Sequence, residues 1–508
     1  MKKNEILENI LIDKLIFGGK WLALAPDGKK IIVTGGVIPG SRVNLRILKS
    51  RTNYYEAQIL DTVQKSPLEQ DLPAHFQVYG GCKWLPIAYP EQLRIKEEQV
   101  REAFHGLQKF WNQPSRGSQK WWSSSENRET EWVVQYTYDE WVSQIWAWNP
   151  HFSESPIFHP IVPSPEIYGY RNKVEFSWGK YISFKEDIRD EFRFGFHAQG
   201  QFDRIIDCTY CVLADEEINE IFKEVDRFSR NSGLPTYDPK TNIGFWRHFV
   251  VRKARFTDEI MLIFSVNDMF LEYTKKDGAE IIAFAEELMV KFPHIVSVYL
   301  LRNSGRADVV TGEAVLLKGK ATIIEHLLNK SFEINPKSFF QTNSLGAEKL
   351  YQTALDLSSS RWGVLLDLYA GTGTLGILFS DRFEQVYSVE LVPQASQDGK
   401  KNARRNGIAN IEFVNAKVEV FLEDFLGKNL SADTLIIDPP RDGMHPNALP
   451  NILKFGAREI IYISCNPATL ARDLDYILAN SDYHVTDVTP VDMFPHTHHI
   501  ETVVRLER

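Results

Sequence analysis

The apolar positions of this chain change their period along its length. From about residue 6 to residue 62, short apolar runs alternate with turn signals: Phe17-Gly18-Gly19, Pro26-Asp27-Gly28, Gly35-Gly36 and Ile38-Pro39-Gly40. Strands at that spacing predict a small barrel. Within it, Arg42-Val43-Asn44-Leu45-Arg46-Ile47-Leu48 alternates polar and apolar residues, as a half-buried strand does. Gln92 to Phe110 takes a helical period, with Leu93, Val100, Phe104 and Leu107 on one face. Alternation returns between Pro163 and about Gly319, in Lys173-Val174-Glu175-Phe176-Ser177-Trp178, Arg193-Phe194-Gly195-Phe196 and Glu259-Ile260-Met261-Leu262-Ile263-Phe264. A mixed, β-rich region is expected there. From about Asn335 onward strand-like runs alternate with helical stretches, which predicts a parallel sheet of the Rossmann-like α/β class.

The carboxyl ends of those last strands carry the chemistry. Leu365-Leu366-Asp367-Leu368-Tyr369-Ala370 runs into a turn in which Gly371, Gly373 and Gly376 spell GxGxxG. The next strand, Gln385–Glu390, ends on an acid about 20 residues later, where a carboxylate can accept hydrogen bonds from a ribose diol. The pattern does not separate a dinucleotide from another adenosine cofactor. Leu435-Ile436-Ile437 leads into Asp438-Pro439-Pro440-Arg441, whose prolines lock an extended exit and hold the acid at the strand end. A third run, Ile461-Tyr462-Ile463, leads to Ser464-Cys465-Asn466-Pro467 and is expected to end on the thiol. Sheets of this kind bind ligands outside the carboxyl ends of their strands, so cofactor turn, acid and thiol should meet at one edge.

Composition narrows the setting. The 508 residues suggest about three domains. We expect residues 1–64 as the barrel, 65–334 as the β-rich part and 335–508 as the α/β part. Residues 111–158 hold seven tryptophans around a Ser123-Ser124-Ser125 tract, and these are expected to be mainly core residues. No run of about 18 apolar residues occurs, and the start of the chain lacks a secretory pattern, so no membrane contact is expected. Four cysteines make no disulfide framework, and a cytoplasmic setting is expected. The net charge of −9 does not advertise a nucleic-acid binder. Local basic clusters stand at Arg42, Arg46, Lys49 and Arg51, and at Lys400, Lys401, Arg404 and Arg405. His496, His498 and His499 form no metal-ligand pattern, so no metal site is expected.

These segments together resemble the RNA (uracil-5-)-methyltransferases that use S-adenosylmethionine, a class I family. The matching stretches are Tyr170-Arg171-Asn172-Lys173, Ser338-Phe339-Phe340-Gln341-Thr342-Asn343, the Asp367–Gly373 turn, Asn402-Ala403-Arg404-Arg405-Asn406-Gly407, Asp438-Pro439-Pro440-Arg441, Ser464-Cys465-Asn466-Pro467 and His499-Ile500-Glu501-Thr502-Val503. The N-terminal barrel resembles a TRAM domain, an OB-type module found on RNA-modifying enzymes. The resemblance implies that Gln341, Tyr369, Glu390 and Asp438 form the S-adenosylmethionine and base pocket. It also implies that Cys465 is the nucleophile and Glu501 the base. A monomer acting on RNA is expected, with ribosomal RNA favoured over transfer RNA by the barrel. The alternatives are a methyltransferase with another target atom, which would not need both Cys465 and Glu501, and a catalytically silent RNA-binding relative. One departure stands out. Many relatives hold an iron–sulfur cluster on a Cys-Gly-Gly-Cys, one cysteine before it and a fourth far downstream. Here Pro73 and Tyr79 occupy the first two places, Cys82 and Cys211 match the others, and Cys208 is extra. The cluster is expected to be absent, with Tyr79, Trp84 and Tyr89 filling its space.

Overall fold

Five strands between Ile6 and Gln64 close into a barrel in the computed structural model, which describes residues 1–73, 75–76, 78–111, 155–183, 188–198, 203–268, 274–307, 309–428 and 430–508. Its strand Arg42–Ser50 buries Val43, Leu45 and Ile47 and turns the intervening residues outward, as the alternation predicts. Closure removes the unpaired edges that an open sheet would present. The basic cluster on this barrel is partly neutralised, because Lys49 and Arg51 both reach Glu56 at 3.3 Å.

The β-rich region is a seven-stranded sheet between Lys173 and Gly319, with the helices Glu216–Asn231 and Thr274–Lys291 following in the chain order. Its core is dominated by aromatic side chains such as Phe176, Trp178, Phe194 and Phe249. Three cysteines, Cys82, Cys208 and Cys211, are buried in the same cluster. Of the three aromatic residues expected among them, Tyr79 is present: its hydroxyl lies 2.6 Å from Cys211 Sγ and its ring stacks on Phe196 at 4.1 Å. Trp84 is instead in the barrel core, and the Tyr89 hydroxyl accepts the Ser164 N–H at 2.8 Å. Local apolar packing, rather than the vacated space, decides where those two rings go.

The α/β part is an eight-stranded sheet in the order Ile411–Asn415, Gln385–Glu390, Val364–Leu368, Thr434–Ile437, Glu459–Ser464, Glu501–Glu507, His484–Val491, Ile157–Phe158. The first five strands are parallel, and Glu501–Glu507 then enters antiparallel to Glu459–Ser464. The strands flanking Val364–Leu368 continue the chain in opposite directions, which makes its carboxyl end the topological switch point. The strand Glu459–Ser464 stops one residue before the thiol, a correction to the expectation: Asn466 caps the helix Pro467–Asn480 through the N–H groups of Ala468 and Thr469, so Cys465 is already in the turn.

The helix expected over Gln92–Phe110 runs from Tyr89 to Phe104, tightens into a 3₁₀ turn at His105–Leu107 around Gly106, and resumes as an α-helical turn at Gln108–Trp111. Leu93, Val100, Phe104 and Leu107 are buried as the period predicts, and they join the core of the α/β sheet rather than that of the neighbouring β-rich sheet. The tryptophans from Trp121 to Trp148 lie outside the described residues. Among the described residues no helix is long and apolar enough to cross a membrane.

Candidate functional site

A cleft of about 890 Å³ opens at the switch point, within the size range of small-molecule pockets. All six residues singled out from the sequence, Gln341, Tyr369, Glu390, Asp438, Cys465 and Glu501, line it.

Its floor is the turn after Val364–Leu368. Tyr369 has φ +62°, and Gly371 and Gly373 have φ +56° and +72°, so the chain reverses through the left-handed region. Glycine adopts that region freely, whereas a tyrosine there stores strain, a feature that clusters at functional sites. The space above Gly371 is open on the cleft side, while a side chain at Gly373 would run into Phe413 and one at Gly376 into Ser388 and Asp367. The buried Asp367 accepts the Gly376 N–H and the Ser388 hydroxyl, both at 2.9 Å, and fastens the turn from beneath. Glu390 fastens it from the side, accepting the N–H groups of Gly371 at 2.8 Å and Val392 at 2.7 Å. Each carboxylate oxygen keeps acceptor capacity for a further donor from the cleft.

The far wall is built by strand polarity. Ser464 and Thr502 are paired across the antiparallel strands, so Cys465 leaves the sheet where Glu501 enters it. Asp438 leaves the sheet at the same edge, one strand over. Arg441 joins this group and donates to His499 Nδ1 at 2.6 Å. Its backbone carbonyl accepts from Asn466 Nδ2 at 2.9 Å and Thr469 Oγ1 at 3.1 Å, which ties the proline-rich exit to the thiol turn.

The β-rich region supplies the roof. Asn172 donates its N–H to the Thr342 carbonyl and its Nδ2 to the Gln341 carbonyl, both at 2.9 Å, and Arg252 donates to the Ser338 carbonyl at 2.7 Å. The Gln341 segment is thereby clamped to the residue before the strand Lys173–Ser183 and to the neighbouring strand Trp246–Lys253. Arg171, Tyr351, Phe494 and His499 also line the cleft, and sequence reasoning assigned them no role. Arg171 and His499 stood inside motifs already singled out, so their neighbours were the available signal.

The electrostatics follow from burial. The Cys465 thiol is pushed up to about 11, first by burial and then by the Glu501 carboxylate, with Arg441 opposing. Glu501 is held well above the ordinary carboxylate range, by burial first and by Asp438 next. Asp438 is raised to about 7 by burial and by Asp367. His498 and His499 are depressed to about 4 and about 3 by burial and the neighbouring cations, so both rings are neutral near neutral pH. The site thus gathers a protonated thiol and carboxyls held neutral well above their usual range, a set able to add a nucleophile and to move a proton.

Residues 326–508 match the family described as tRNA (Uracil-5-)-methyltransferase. Over the whole chain the sequence is 32% identical to an uncharacterized RNA methyltransferase of Caldanaerobacter subterraneus, with 100% of both chains covered. It is 34% identical to another of Clostridium acetobutylicum, covering 100% of this chain and 99% of that one. The solved structure of Pyrococcus abyssi tRNA (uracil-54, C5)-methyltransferase in complex with S-adenosyl-L-homocysteine superimposes with a TM-score of 0.67 at 24% identity, covering 98% of this chain and 100% of that one. The fold is shared.

The burial of Glu501 has a measurable sign. A carboxyl with a higher pKa in the folded chain than in the unfolded one weakens folding as pH rises, because the unfolded chain ionises first. Glu501→Gln removes that penalty. Its Tm is expected to exceed that of the native protein at about pH 8, with the gap closing as the pH falls towards about 3, below the unfolded carboxyl's range, where the carboxyl is neutral in both states. Calorimetric scans at both pH values check this, and a gap independent of pH would contradict it.

Proposed function

The chain belongs to the RNA methyltransferase family, and we propose that it methylates C5 of uridine in a structured RNA through a covalent adduct at Cys465. The observation that carries this reading is the meeting of a thiol, two neutral-leaning carboxyls and a glycine turn in one cleft. S-adenosylmethionine supplies an electrophilic methyl group on a sulfonium. The residues present fit it: the open face of Gly371 and the spare acceptor capacity of Glu390 suit a ribose diol, and the exposed Leu391 and Val392 offer apolar cover for a flat ring. Gln341, Tyr369 and Asp438 complete that pocket.

C5 of uracil is a weak nucleophile, which is why a thiol is needed. The Cys465 thiolate bonds to C6, and the electron pair of the C5–C6 double bond passes into the enolate that makes C5 reactive. C5 bonds to the sulfonium methyl group as the S–CH3 bond breaks, and that bond's electron pair stays on sulfur, which leaves as the neutral thioether of S-adenosylhomocysteine. The proton on C5 then goes to the Glu501 carboxylate, the C5–C6 double bond re-forms, and the C6–S bond breaks to return the thiolate. Asp438 orients the uracil edge beside the thiol. A thiol raised to about 11 and a Glu501 carboxyl held well above its usual range supply little thiolate or carboxylate at neutral pH, so RNA binding must favour the ionisation of both for these steps to run.

We infer a division of labour in which residues 1–64 and 65–334 hold the RNA and residues 335–508 carry the reaction. The barrel supports ribosomal RNA as the substrate. The family matched by residues 326–508 favours transfer RNA as the second reading. An iron–sulfur cluster does not fit the residues present. Tyr79 stands against Cys211, with its hydroxyl 2.6 Å from the sulfur, where a thiolate would be needed.

RNA carrying 5-fluorouridine should trap the protein, because fluorine at C5 does not leave as a proton does. Cys465→Ser should abolish the trapped band, and its persistence would exclude this nucleophile. Mapping 5-methyluridine in ribosomal and transfer RNA from cells with and without the protein separates the two substrate readings.

Glu390→Ala should weaken S-adenosylmethionine binding. A charge-assisted hydrogen bond is worth about 1.5–3 kcal/mol, so the loss is at least about tenfold in Kd. Unchanged calorimetric affinity would remove Glu390 from the cofactor site.

Protein purified without oxygen should hold no stoichiometric iron or acid-labile sulfide. Finding both would show that Tyr79 and the three buried cysteines accommodate a cluster after all.

A further inference from the structure

Lys96 sits in the middle of the apolar face of the helix Tyr89–Phe104, and its side chain has 0% exposure. Its ammonium donates to Asp492 Oδ1 at 2.7 Å, another fully buried group, and to the Phe494 carbonyl at 3.0 Å. One turn earlier, the buried Gln92 grips His496 from both sides. Its Oε1 accepts the His496 N–H at 2.7 Å, and its Nε2 meets His496 Nδ1 at 2.9 Å. His496 has φ +63°, a strained backbone for a non-glycine residue, so something must hold it there.

Both grips fall on the loop that ends at Glu501. The same loop brings Phe494 and His499 to the cleft. The same stretch of helix is also fastened to the barrel. Gln99 Nε2 donates to the Leu15 carbonyl at 3.1 Å, and Ile95 is buried in the barrel core. The tip of the first barrel hairpin also abuts the loop, because a Cβ on Gly19 would lie 3.0 Å from His498 Nδ1. A buried ion pair is a poor source of net stability, since an apolar pair of similar volume often folds as well. The Lys96–Asp492 pair therefore calls for another reason.

Resting on the reading of Cys465 and Glu501 given above, we propose that Lys96 and Gln92 are positioning residues for methyl transfer: through Asp492 and His496 they fix the loop that aims the Glu501 carboxylate at the C5 proton. The helix is the joint between an RNA-holding barrel and the proton-accepting group. Loosening it slows release of the methylated uridine from Cys465 and leaves the preceding steps intact.

The test uses the full chain. Lys96→Met combined with Asp492→Leu removes the pair without leaving a buried charge, and Gln92→Ala, which keeps the pair, serves as the second variant should the first not fold. With ordinary uridine RNA, kcat/KM for RNA and for S-adenosylmethionine should stay within about twofold of native, while kcat per folded protein falls at least about tenfold and KM falls with it. A methylated protein–RNA adduct should accumulate on denaturing gels, as it does not for the native protein. Native kcat in the folded variant, or a loss of kcat with no adduct, would overturn the proposal. A native protein that forms no 5-methyluridine would count against the functional reading instead.

Discussion

The site depends on one reversal of strand direction. Five parallel strands deliver Tyr369, Glu390, Asp438 and Cys465 to the same edge of the sheet, and a sheet that continued parallel would deliver only further carboxyl ends. The antiparallel entry of Glu501–Glu507 beside Glu459–Ser464 puts an amino end there instead. A thiol just past the end of one strand and a carboxyl at the start of the next are thereby neighbours without any side chain having to reach. The pairing of Ser464 with Thr502 sets their register, and slipping it by one residue would turn Glu501 to the other face of the sheet.

Burying those groups side by side carries an electrostatic cost, visible in the upward displacement of Cys465, Asp438 and Glu501. Arg441 opposes the displacement for Cys465 and Glu501. The strained backbone at Tyr369 and His496 belongs to the same account, since both residues sit in the turns that shape the cleft. Sites that store strain and buried charge need rigid support, and here the support comes from outside the α/β sheet. Asn172 and Arg252 hold the Gln341 segment, and the helix Tyr89–Phe104 holds the Glu501 loop.

Much of this was legible in the sequence because the relevant signals are local. Alternation marked Arg42–Leu48, the acid at position 390 closes a strand that the structure ends on the same residue, and Glu501 reads as the mouth of the final strand, where it stands. The less legible features are contacts between distant positions. Lys96 and Asp492 are 396 residues apart, and no periodicity announces their pairing. A lysine on the face defined by Leu93, Val100 and Phe104 was the one available sign. The edge strand Ile157–Phe158, which pairs with His484–Val491, is too short to carry a pattern. The break at His105 and the end of strand Glu459–Ser464 were missed for a different reason, because turn and cap geometry decides them within single residues.

The central claim is that the cleft replaces the hydrogen on uridine C5 with a methyl group. RNA made with uridine tritiated at C5, incubated with the protein and S-adenosylmethionine, tests it most directly. The account predicts tritium released to water in equal number to methyl groups incorporated. Methyl incorporation with the tritium retained would mean that another atom of the RNA is the target, and the roles given to Cys465 and Glu501 would fall.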